Sequence, residues 1–276
     1  MKFNWKIALM CLAMVAFVAS CKQKNEPENK DNTEQGGKQD PEDSKDPGDA
    51  GDYTSPISVK DNSVADWDAL DQTKVAVANV TDEPYFEGLK QLKVYSDGVY
   101  INYLLVYDPA IYKSHVGAKD GMHIYMNIDN SAETGGFFDL FADAAVDLMF
   151  EGELFDDQGN PVPYSPTMHR WVGQEGGLPA ERNCDAAGGW DVAWEAAGSV
   201  KGESQIVGDN IIEGRLIVGL ISDKFAKEGF GIGFDIQQNW GEVGLLPQLD
   251  AQGEEGEFIG RTNMLFVPFD EPEEAK

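Results

Sequence analysis

Four oxygen-bearing side chains, Asn127, Asp129, Ser131 and Glu133, recur at every second position just ahead of Gly135-Gly136. With that spacing a tight loop can turn amide, carboxylate and hydroxyl oxygens onto a hard cation, and the glycine pair permits a sharp bend. Asp139, Asp143 and Asp147 follow closely and could complete a shell of about six oxygens or more. The same residues also describe a solvated Asx-rich turn, in which the side chains serve only the loop's own backbone.

A second group is aromatic. Trp171 follows His169-Arg170, Trp190 and Trp194 flank Asp191 in a Gly-rich stretch, and Trp240 lies in Gln237-Gln238-Asn239-Trp240-Gly241-Glu242. A sugar ring packs its C–H face on an indole while nearby carboxylates and amides accept from its hydroxyls, so these four are candidate ligand-binding residues. If 190–194 is a strand, Trp190 and Trp194 point to one face. Trp240, polar on both sides, is the strongest candidate for exposure, with core packing the alternative for each of the others. Trp67 is expected to pack the first strand onto the core.

Catalytic chemistry is thinly represented. Glu151 and Glu153 share a strand face about 6.6 Å apart along the chain, room enough for a water between two carboxylates, and equally the spacing of any solvent-facing acidic strand. His115, His123 and His169 show no zinc spacing, and no nucleophile elbow, phosphate loop or dinucleotide fingerprint occurs. No enzyme is expected.

The elements that must position these residues read as strands. Val75 and Val77 alternate with smaller neighbours, and Leu92–Tyr95 and Val99–Tyr107 flank the turn Ser96-Asp97-Gly98. Further runs cover 122–128, 146–155, 168–172, 211–220, 231–237 and 262–267, and Gly208-Asp209-Asn210 would turn a hairpin from 204–207 into 211–218. Residues 222–229 carry an N-cap serine and a terminal glycine, which suits a short helix. The sum is an all-β fold, a single antiparallel jelly-roll-like sandwich over 53–276.

Ahead of that domain, Lys2 and Lys6 precede an apolar run that is too short to span a bilayer and has the layout of an export signal over 1–20. Residues 22–52 hold nothing larger than alanine to bury and form a flexible acidic tether, with a reach of roughly 30 Å. Of the chain's formal charge of −28, −25 falls on 53–276, which excludes nucleic acid as a partner. With Cys11 in the signal and Cys21 at its end, Cys184 is left alone in the mature chain as a half-buried small hydrophobe.

Val18-Ala19-Ser20-Cys21 resembles the lipobox of bacterial lipoproteins, which implies acylation of Cys21 and anchorage in the bacterial cell envelope, at the outer membrane. Asn62–Trp67, Tyr125–Asn130, Thr134-Gly135-Gly136 and Val146–Gly152 together resemble family 9 carbohydrate-binding modules and the related DOMON-type sandwiches. That resemblance implies a β-sandwich, sugar binding through aromatics, and structural calcium on Asn127, Asp129, Ser131, Glu133 and Asp147. Haem ligation, found in one DOMON branch, is disfavoured because alternation sets His123 on the face opposite Met122 and Met126. The expectation is a lipid-anchored, non-catalytic binder of polysaccharide or oligosaccharide. The alternative is an adhesion or assembly lipoprotein that binds another cell-envelope protein.

Overall fold

Large apolar side chains that alternate with polar ones give strands with one buried face, and such strands stack into two antiparallel sheets. A computed structural model describes residues 53–269 apart from 82–85, 111–119, 138–140, 142–144, 156–161, 163, 201, 223, 239–240 and 249–262. The expected signal, Cys21 and the tether lie outside the described residues, as do His115, Asp139, Asp143 and Trp240. No helix among the described residues is long and apolar enough to cross a membrane.

The five-stranded sheet runs β1 (Ala76–Asn79), β2 (Leu89–Ser96), β3 (Tyr100–Tyr107), β9 (Ile211–Ile217), β8 (Gly202–Val207). Its β2–β3 hairpin turns where the sequence places a turn. Asp97 Oδ1 accepts the amides of Val99 and Tyr100 while Gly98 takes a positive φ of 81°. The seven-stranded sheet runs β11 (Gly241–Leu246), β10 (Gly229–Gln238), β4 (Asp120–Asn127), β5 (Leu148–Phe155), β6 (Thr167–Trp171), β7 (Trp194–Ser199). β12 (Leu265–Pro268) pairs with β10 beside β11. The fold is an all-β sandwich, as the strand pattern implies.

The main core lies between the sheets, where Leu92, Ile101, Tyr103 and Leu105 meet Met122, Ile124, Phe150, Phe234 and Ile236. Tyr103 and Phe234 cross the gap with ring centroids 5.4 Å apart. Each sheet also buries part of its outer face. On the five-stranded sheet, Ile57, Val59 and Trp67 from the N-terminal segment cover Tyr95 and Leu104. On the seven-stranded sheet, Phe141, Trp171, Ala193 and Trp194 cover Tyr125 and Met149.

Four local expectations differ from what is found. Val77 is 40% exposed whereas Ala76 and Ala78 face the core, so the first strand is in the opposite phase. Small alanines fit there because β1 is a short edge strand. The helix expected over 222–229 is instead a single turn at Val218–Ile221, and Ser222 Oγ accepts the Lys224 amide in a local turn rather than capping a helix. Trp190–Ala193 is one helical turn ahead of β7, not the start of a strand. Trp67 is buried, but against the outer face of the five-stranded sheet, where its indole N–H donates to buried Glu213.

Candidate functional site

At one end of β4, β5 and β6 the chain leaves a cavity of about 160 Å³. Asp129 follows β4, Asp147 precedes β5, and Arg170 and Trp171 end β6. Thr134, Glu175, Ser222 and Lys224 close it. Three carboxylates, two cations and two hydroxyls thus converge on a space walled on one side by an indole.

Local geometry fixes these groups. Asp147 Oδ2 accepts the Ile128 amide at 2.8 Å, and Asp129 accepts the Ser131 amide and the Thr134 hydroxyl. Burial raises the Asp147 carboxyl to about 6; the negative charges of Asp129 and Glu175 push the same way, against the backbone hydrogen bonds it accepts. Trp171 lies between two glycines, since a Cβ on Gly136 would come within 2.3 Å of its ring and one on Gly173 within 2.4 Å. Gly136 is therefore required less for a bend than for the close approach of an indole. The Trp171 N–H donates to the Gln174 carbonyl.

The metal set inferred from sequence does not gather at one point. Asp129 and Asp147 share the cavity; Asn127 and Glu133 do not line it. Asn127 donates its amide to the Ser131 carbonyl, Ser131 Oγ accepts the Glu133 amide, and Glu133 is exposed. The Asp129 and Ser131 oxygens serve the loop's own backbone, the turn alternative open in the sequence, while Asn127 Oδ1 is buried with no hydrogen-bond partner among the described residues. Among the described residues no three His, Cys, Asp or Glu side chains are grouped as a metal site would need.

The tryptophans also separate. Trp171 and Trp194 are buried and meet edge to face at 5.3 Å, while Trp190 is 39% exposed and tilts over Trp194 at 5.9 Å. Two of the four are thus packing residues with at most an edge toward a ligand. Cys184 packs half-buried beside them, its thiol raised by burial.

A second polar constellation crosses the outer face of the same sheet and was not anticipated. Asp235 on β10, His123 on β4, Glu151 on β5 and His169 on β6 form a row. His123 Nδ1 is 2.9 Å from Asp235 Oδ1, and its Nε2 is 3.7 Å from Glu151. His169 Nε2 lies 3.6 Å from the other Glu151 oxygen. Burial alone would push the His123 imidazolium down, but hydrogen bonds to Asp235 and Glu151 outweigh it and raise the pKa to about 10. The hydrogen bond to His123 in turn lowers the Glu151 carboxyl, and burial lowers His169. Asp235 is fully buried and also accepts from Tyr125 and Gln237. An acid between Phe234 and Ile236 in an apolar strand was the available signal, because a buried charge demands a partner.

Glu151 and Glu153 differ in setting: Glu151 lies between two histidines and Glu153 is exposed. No family model matches the chain, and no curated protein matches it.

Proposed function

We propose that the protein is an exported, lipid-anchored, non-catalytic carbohydrate-binding module that takes a sugar residue in the cavity beside Trp171. The observation that supports this most is the convergence of Asp129, Asp147 and Trp171, drawn from two separate sequence groups, on one polar space with an aromatic wall. Carboxylates accept from sugar hydroxyls, Arg170 and Lys224 donate, and the indole offers an apolar edge. The volume is well below the roughly 300–1,000 Å³ of sites for drug-sized ligands, which suits one ring or the end of a chain.

The lipobox-like Val18–Cys21 supports an acyl anchor on Cys21 and a place at the outer membrane of the bacterial envelope, with 22–52 as the spacer. The resemblance of residues 62–152 to family 9 carbohydrate-binding modules supports the ligand class. Calcium enters as a second occupant of the same cavity, with Asp129 and Asp147 as its carboxylate donors.

The test is a glycan array probed with the purified chain. Retention by a polysaccharide, weakened at least tenfold by Asp147→Asn or Arg170→Ala, is the expected result. Binding lost with Trp240→Ala and indifferent to both cavity variants would move the site to the neighbourhood of Trp240. Silence across a broad panel sinks the sugar reading altogether.

A further inference from the structure

Between β6 and β7 the chain makes an excursion, 172–193, that concentrates apolar surface. Of the six large apolar side chains exposed among the described residues, four are here: Val172 at 50%, Leu178 at 67%, Trp190 at 39% and Val192 at 59%. Val172 and Val192 belong to one local unit, because the Val172 amide donates to the Ala193 carbonyl at 2.9 Å. The Trp190 ring leans on Trp194 within the same turn.

The excursion is held in place. Arg182 is 1% exposed, donates to the carbonyls of Ala132 and Thr134, and lies 4.7 Å over the Phe137 ring. Asn183 caps the turn Cys184–Ala187 by accepting the Ala186 amide. A partner would therefore meet a surface already ordered, which lowers the entropy cost of docking.

Its charge is one-sided. Glu175, Glu181, Asp185 and Asp191 are all exposed, and Arg182, the one base in 172–193, is buried. An apolar patch with an anionic rim repels a second copy of this chain, whose folded part carries −25, and repels an anionic bilayer. It complements a cationic partner that brings apolar side chains.

We infer that the Val172–Trp190–Val192 surface docks a basic, apolar-bearing protein segment, with Trp190 as the central anchor and Glu181, Asp185 and Asp191 as the charged rim. The segment lies across the excursion, its lysines or arginines over the three acids and its apolar side chains on the indole and the valines.

The experiment titrates the full chain in detergent, by calorimetry, with an amphipathic Lys/Leu peptide and with its Glu/Leu counterpart. The Lys/Leu peptide is expected to bind, with Trp190→Ala weakening it at least tenfold. Because Trp190 packs on Trp194, Val192→Ser is the second variant, expected to weaken binding about threefold without touching that contact. The triple change Glu181→Gln, Asp185→Asn, Asp191→Asn should weaken it about tenfold and flatten its salt dependence. An equal number of acids neutralised on the other sheet's side, Asp68→Asn, Asp71→Asn and Asp209→Asn, should change it less than twofold.

Equal binding of the Glu/Leu peptide overturns the inference. So does a remote triple variant as damaging as the local one, which would reduce the effect to net charge. Binding indifferent to both Trp190→Ala and Val192→Ser overturns it as well. A glycan that needs Trp190 and ignores salt would identify the patch as a sugar platform instead, a result independent of the cavity variants.

Discussion

The seven-stranded sheet gathers carboxylates in two places, one on its outer face and one at an end of its strands, and the two are treated differently. In the row across β10, β4, β5 and β6, Asp235 and Glu151 flank a protonated His123, so burial is compensated by an opposite charge. At the end of the same strands Asp129, Asp147 and Glu175 face one cavity, and Asp147 is pushed up to about 6. The cations at the cavity, Arg170 and Lys224, are exposed and form no ion pair with it among the described residues. A buried pair that neutralises itself is a structural device; carboxylates left short of a partner in a concave site keep their hydrogen-bonding capacity for a ligand.

The largest effect is expected at the row. His123→Gln leaves Asp235 buried without its cation and is expected to cost about 3–5 kcal/mol in urea unfolding. The native protein should also lose stability as pH rises from about 6.5 toward 10, because the folded-state pKa of His123 lies above its unfolded value. The contribution is complete below the lower value and gone above the upper one. Unfolding at pH 6, 8 and 10 should show the decline, and His123→Gln should lack this component of it. A native curve flat over that range would show that the histidine is not held charged.

At the cavity, Gly136→Ala forces a methyl against the Trp171 ring and is expected to cost about 1–3 kcal/mol, with a shift in tryptophan emission and loss of sugar binding. Asp147→Asn should act in the opposite direction from a change in the row. Its folded pKa lies above its unfolded value, so the ionised form is disfavoured in the fold: stability is lost between about pH 4 and 6 and stays lower above that. At pH 7 the asparagine variant should therefore be as stable as the native chain or more so, by up to about 1 kcal/mol, and below pH 4 the gain should vanish. A clear loss of stability at pH 7 would put Asp147 in the same structural class as Asp235.

Calcium should give the smallest effect. With Asp129 and Asp147 as the donors, stabilisation should be about 0.4 kcal/mol at a concentration equal to Kd, absent with magnesium and absent in Asp147→Asn. A melting point that rises by many degrees would mean that further ligands converge there.

Legibility in the sequence followed burial pattern. β2, β3 and β4 alternate or run apolar because a face of each meets the main core, and the Asp97-Gly98 and Gly208–Asn210 turns announce their hairpins. β7 buries one residue of six and β11 buries its last three in succession, so neither carries a period-two signal. Asp129 and Asp147 were visible as a dense acidic stretch, and Trp171 as an aromatic beside polar residues. Their meeting was not, because it depends on the ends of three strands and on two glycines that admit an indole. The His123 row escaped for a related reason: Asp235 and His123 are 112 positions apart.

The N-terminal segment has a mechanical consequence. Residues 53–67 lie along the outer face of the five-stranded sheet, pinned by Ser55 to Asp97, Lys60 to Glu203, and Trp67 to Glu213, with Ile57 and Val59 buried beneath. Tension arriving from residue 52 therefore loads this strap before any sheet hydrogen bond. It would peel contact by contact while both sheets stay intact.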